Sequence, residues 1–140
     1  MNTPKAAPKT QKSAVGMAGE QIAVQFLEDH GYTVIERNFR SSRQEIDIIA
    51  KDEAFIIFVE VKTRSCTTPD SLTYGRPAHA VGRQKQHNVT LAAQAYLRSH
   101  PDLGLQPRLD VIEVYLRGSG MGTLPTALKI NHIRNAFLAR

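Results

Sequence analysis

Residues 54–64, AFIIFVEVKTR, constrain this chain more than any other segment. Six apolar residues in a row, Ala54 to Val59, are too few for a membrane span and too β-branched and aromatic for a surface helix. They predict a central strand buried on both faces. That strand carries Glu60 and Lys62, two positions apart and therefore on one face. An acid and a base at the end of an apolar run must be desolvated, and something must compensate them.

The preceding segment supplies a third charge. EIDIIAK, residues 45–51, alternates, which predicts a strand with Glu45, Asp47 and Ile49 on one face and Ile46, Ile48 and Ala50 on the other. Upstream, Ala14 to His30 reads as a helix stopped by Gly31. On its helical wheel Glu20 falls between Val24 and Leu27, inside the apolar arc, an odd place for an idle carboxylate.

The remaining elements follow from periodicity and breakers. Residues 32–40 predict a strand, Ser41-Ser42-Arg43 a turn, and 65–80, with Pro69, Gly75 and Pro77, a long loop. A second helix is expected from Val81 to Ser99, its stripe Val81, Val89, Ala92 and Tyr96 running through Lys85, with Pro101 closing it. Residues 107–116 predict another strand, and the C-terminal tail a short strand or helix. The order α-β-β-β-α-β predicts an α/β fold, a mixed sheet flanked by helices. At 140 residues, one domain is expected, spanning 14–140 behind a disordered basic tail at 1–13.

Composition narrows the function. The net charge is +5 and the chain has a single cysteine, Cys66. One cysteine excludes an internal disulfide and a thiolate zinc site, and fits a cytoplasmic protein. His79, His87 and His132 have no metal-ligand spacing, and no partner histidine singles out Cys66 as a nucleophile. No membrane span and no signal-peptide core is visible. From Lys62 to Arg98 the bases are Lys62, Arg64, Arg76, Arg83, Lys85 and Arg98 against Asp70 alone. A basic segment beside an acidic cluster fits an enzyme that uses a metal on a polyphosphate; a solvated surface is the plain alternative.

Two carboxylates from neighbouring strands offer hard oxygens to magnesium, which binds few protein carboxylates and completes its shell with water and phosphate. A structural ion pair, Lys62 with Asp47 or Glu60, is the competing explanation, though it leaves one acid unmatched. Asp110 is expected to pair with Arg108 or support the sheet. Lys85 is either a snorkelling lysine or a phosphate contact at the rim.

The strings GMAGEQIAVQFLEDHGYTVIERNFR, QEIDIIAKDEAFIIFVEVKTRS, GRPAHAVGRQKQ, PRLDVIEV and HIRNAF resemble the bacterial YraN-like family, from Gly16 to Phe137. That family is in turn similar to the restriction-endonuclease-like superfamily of PD-(D/E)XK nucleases, especially archaeal Holliday junction resolvases. The resemblance implies a restriction-endonuclease-like core and hydrolysis of nucleic-acid phosphodiesters with Mg2+, or Mn2+ in its place. Carried over, Asp47 and Glu60 are the catalytic metal acids, Lys62 the motif lysine, and Glu20 the helix acid that joins the metal site. Arg64, Arg76, Arg83 and Lys85 are the expected nucleic-acid contacts, with DNA the expected partner and a homodimer needed for symmetric cutting of a junction. A non-catalytic nucleic-acid-binding protein, or a partner subunit of a larger assembly, that keeps the fold is the alternative. One departure is Gln44, where the family has Gly before Glu-Ile-Asp; a turn needing positive φ there would be strained.

Overall fold

The computed structural model describes residues 13–66, 82–117 and 126–137. Its order is α1 (Ala14–Asp29), β1 (Thr33–Ser41), β2 (Gln44–Lys51), β3 (Phe55–Cys66), α2 (Arg83–Ser99), β4 (Gln106–Arg117) and β5 (Thr126–Ile133). The C-terminal tail thus adds a strand. Arg76, Cys66's following loop, Val81 and residues 1–12 of the expected tail lie outside the described residues.

Both ends of α1 have visible chemical causes. Ser13, assigned above to the tail, is the N-cap: its hydroxyl accepts from the Gly16 amide at 3.0 Å. At the other end Gly31 takes φ +91°. There the Tyr32 amide donates to the Leu27 carbonyl at 3.0 Å and the Gly31 amide to Glu28 at 3.2 Å. This Schellman pair satisfies the last carbonyls and turns the chain into β1, with Tyr32 and Leu27 packed in the same core cluster.

The five strands form one mixed sheet in the order β1-β2-β3-β4-β5. Only β3 and β4 run parallel, from Phe55↔Gln106 to Cys66↔Arg117, so the connection carrying α2 must cross over the sheet. Helix α1 covers one face, packing Ala23, Val24 and Leu27 on Ile48, Ile57, Val59, Ile112 and Val114. Helix α2 covers the other, packing Val89, Ala92 and Tyr96 on Ile46, Ile49, Ile56 and Phe58. Strand β3 is buried on both sides, as its apolar run requires.

The expected alternation of β2 fails at one point. Ile46 belongs with Ile49 on the α2 face, whereas Ile48 and Ala50 face α1. The parity slips once, between Ile46 and Ile48, at Asp47. On the neighbouring strand Asn38, between the pairs Arg37↔Ile48 and Phe39↔Ile46, has φ +53°. Both strands therefore leave regular geometry at the same level. The adjoining turn is not strained by Gln44, because Ser42 takes the left-handed conformation, at φ +59°, and Gln44 already lies in the strand.

Candidate metal and phosphodiester site

The β2–β3 ladder runs from Lys51↔Ile56 to Ile48↔Val59 and ends there. Past that point the buried Val61 amide donates to a side chain, Oδ2 of Asp47, at 2.8 Å. Where the ladder ends, an open cavity of about 370 Å³ begins. It draws Gly16 and Glu20 from α1, Glu45 and Asp47 from β2, Glu60, Lys62 and Thr63 from β3, and Lys85 from α2. The parity slip falls at Asp47, which lines it. Glu60 and Lys62 continue the Ile56–Phe58 face by simple alternation.

Four of the expected residues, Glu20, Asp47, Glu60 and Lys62, thus share one cavity. Glu20, Asp47 and Glu60 are all buried, at 5%, 7% and 6% exposure. Helix α1 reaches them because of Gly19: a β-carbon there would fall inside the Thr63 side chain on β3. The glycine lets the helix backbone touch the strand and sets Glu20 beside the acids. That role is absent from the wheel argument, which weighed only Glu20.

Lys85 also belongs to the site. Its ammonium lies 3.5 Å from Glu60 Oε1. The contact is at the outer limit of a hydrogen bond, so Oε1 is a buried carboxylate oxygen only weakly satisfied among the described residues. Burial, then the charge of Asp47, pushes the Glu60 carboxyl up to about 7, against the opposing pull of Lys85 and Lys62. Among the described residues, four carboxylates and two ammonium groups line the cavity. The donors are hard oxygens of the kind magnesium and manganese take, and the weakly satisfied Glu60 oxygen fits such an ion. Among the described residues no three acidic, histidine or cysteine side chains converge tightly enough to form a preset cage.

The basic residues divide. Arg83 is exposed in the first turn of α2. Arg64 donates from Nε to Glu113 Oε2 at 3.3 Å. Glu45 approaches Arg40 at 4.0 Å.

Asp110 is structural, as expected, and its network is larger than a pair. Arg108 donates to both its oxygens, the Asn135 amide to Oδ1 at 2.9 Å, and His132 Nε2 lies 2.8 Å from Oδ2. Arg108 also donates to Tyr32 Oη at 2.8 Å. Burial alone would raise the Asp110 carboxyl; the bonds from His132, Arg108 and Asn135 outweigh it and hold the group below its ordinary range. A second cavity, about 490 Å³ between α2 and β4, is lined by Phe55, Phe58, Leu97 and Phe137 among others and contains no carboxylate. Its size does not make it the reactive site.

Sequence reasoning missed Gly19 and Glu113. The signal for Glu113 was present: an acid inside the apolar run VIEVYL is the same anomaly that singled out Glu60.

A UPF0102 protein of Caldanaerobacter subterraneus subsp. tengcongensis is 43% identical over 129 residues, covering 92% of this chain and 98% of that protein. One of Trichlorobacter lovleyi is 46% identical over 125 residues, covering 89% and 90%. Among solved structures, Pyrococcus furiosus SfsA in complex with Ca2+ aligns with a TM-score of 0.42 and 14% identity, over 91% of this chain and 74% of that one. The profile of the uncharacterised protein family UPF0102 matches residues 19–114, from the helix glycine through both strand acids to Glu113, and the chain belongs to that family.

Proposed function

We propose that this protein is a divalent-metal-dependent nuclease that hydrolyses phosphodiester bonds of DNA, including branched DNA. The observation that carries the reading is the Glu60 carboxylate: buried, met at Oε1 by the Lys85 ammonium at 3.5 Å, and in a cavity shared with Asp47, Glu20 and Lys62. Asp47 and Glu60, joined by Glu20, would hold Mg2+ or Mn2+. Such an ion supplies Lewis-acid polarisation of a phosphate oxygen.

The chain's own groups do the rest. The bond from Val61 N–H fixes the Asp47 carboxylate at the edge of the cavity. Lys62, on the same face as Glu60, orients the attacking water and offsets charge that develops on the phosphate. Lys85 and Arg64 meet the flanking phosphodiester backbone, with Arg83 further along α2.

The test is hydrolysis by the purified full-length protein of duplex, flap, fork and four-way DNA, and of matching RNA, with Mg2+, Mn2+ or EDTA. Metal-dependent cleavage that Glu60→Gln abolishes is the expected result. Salt-sensitive binding with no cleavage of any substrate would overturn it in favour of a binding protein that retains the fold.

A further inference from the structure

Strand β4 carries a carboxylate that nothing above employs. Glu113 is fully buried between Val111, Ile112 and Val114. Both of its oxygens are occupied: Tyr115 Oη donates to Oε1 at 2.9 Å, and Arg64 Nε to Oε2 at 3.3 Å. Breaking such a pair by removing one partner is costly, because a buried charge is then left uncompensated. Tyr115 is itself buried, so one end of this arrangement is rigid. The other end is open, with the Arg64 side chain 40% exposed.

The register places this pair beside the cavity. Lys62 lies opposite Glu113 and Arg64 opposite Tyr115 in the parallel ladder. Glu60, Lys62 and Arg64 alternate along β3 on one face, in steps of about 6.7 Å. That step is close to the separation of successive phosphates along a nucleic-acid strand. Glu113 engages Nε of Arg64, and neither Nη has a hydrogen-bond partner among the described residues. A guanidinium held through Nε keeps its outer edge, the Nη pair, for a bidentate anion.

We propose that Glu113 and Tyr115 form a fixed seat for Arg64, and that the outer edge of Arg64 is a second phosphate site, next along the strand from the Glu60–Lys62 cavity. The ligand's identity as a phosphodiester chain rests on the nuclease reading. The addition is that it is gripped at two successive phosphates. Glu113 is a positioning residue, acting through Arg64 without touching the ligand.

The test is a double-mutant cycle on the full chain, read by anisotropy of a labelled DNA duplex in Ca2+ over a range of salt. Arg64→Ala should weaken binding and flatten the slope of log K against log salt by about one unit. Glu113→Gln, which still accepts from Tyr115, should weaken binding roughly threefold to tenfold, the worth of one well-aimed charge-assisted bond. In the Arg64→Ala background it should do nothing further. An equal loss in both backgrounds overturns the seat, as does a changed melting temperature with affinity and slope unmoved.

Should Glu113→Gln not fold, Arg64→Lys keeps the charge but lacks the fork. It should lose affinity with the salt slope intact, and wild-type affinity there overturns the proposal. Coupling between Glu113 and Arg64 without metal-dependent cleavage by the wild type retires the nuclease reading and leaves the seat standing. Cleavage without coupling retires the seat alone. A wild type that binds no nucleic acid overturns both.

Discussion

The ammonium of Lys85, in the first turn of α2, stands 3.5 Å from Oε1 of Glu60 on β3. On the proposed metal-dependent reading, lysine and metal would compete for this one carboxylate. Lys85→Met should therefore tighten Mg2+ and Ca2+ binding, by roughly threefold to tenfold if the lost repulsion is about 1 kcal/mol. On the proposed reading, in which Lys85 meets the phosphodiester backbone, the same variant should bind DNA more weakly. Calorimetric titration above pH 8, where Glu60 is ionised, reads the first effect. An unchanged metal affinity would mean that Lys85 only covers the site.

Glu60 also sets a pH dependence. Its carboxyl is raised from 4.5 to about 7, chiefly by burial and then by Asp47. A raised acid favours folding fully below its unfolded pKa, and that advantage is lost as pH climbs through the folded value. The ionised glutamate is thus an increasing burden between about pH 4.5 and 7. Glu60→Gln should stabilise the metal-free protein at pH 8 by up to about 3 kcal/mol and make no difference below pH 4.5. Divalent ions should raise the melting temperature of the wild type at pH 8 and leave that of Glu60→Gln unmoved. Thermal melts across pH, with and without Mg2+, check both.

Much of this arrangement was legible because burying a charge is rare enough to be noticed. Glu20, Asp47 and Glu60 each broke an apolar pattern, and all three line one cavity. The element order was legible for a similar reason: Gly31 and Pro101 punctuate periodic segments. What escaped depended on contacts between distant residues. The slip of parity at Asp47 coincides with the positive φ of Asn38 on the next strand, and alternation within β2 cannot report it. The Arg108–Asp110 pair was expected from its spacing, but Tyr32 and His132 join it from strand ends 78 and 22 residues away from Asp110. Arg64 reads as a free surface cation until β4 is laid beside β3, when its Nε proves to be bound to Glu113.

Asp47 has two jobs that substitutions can separate. Its Oδ2 accepts from the buried Val61 amide, and its charge raises Glu60. Asp47→Ala removes both, and the stranded amide should cost about 1–3 kcal/mol of stability. Asp47→Asn keeps an acceptor for Val61, so it should retain most of the stability while losing metal-dependent cleavage. Because its charge is gone, the Glu60 carboxyl should titrate lower than in the wild type. Carbon-detected NMR of the glutamate side chains follows that titration. An unmoved Glu60 would show that burial alone, without Asp47, sets its pKa.

Gly19 and Thr63 fix where α1 crosses β3, and hence where Glu20 enters the cavity. A β-carbon at Gly19 would overlap the threonine side chain, and both backbones are held by regular structure. Gly19→Ala favours the helix by intrinsic propensity, about 1 kcal/mol. The overlap should outweigh this, as overpacking in a close contact costs about 1–3 kcal/mol. The net expectation is a destabilised protein, with Glu20 displaced and metal affinity reduced. Thr63→Ala opens the missing space. The double variant should therefore recover stability beyond the sum of the single changes, and recover metal affinity with it. Denaturant melts and Ca2+ titration of the four proteins measure the coupling. Strict additivity would mean that the helix can move off the strand at no cost, and that Gly19 does not position Glu20.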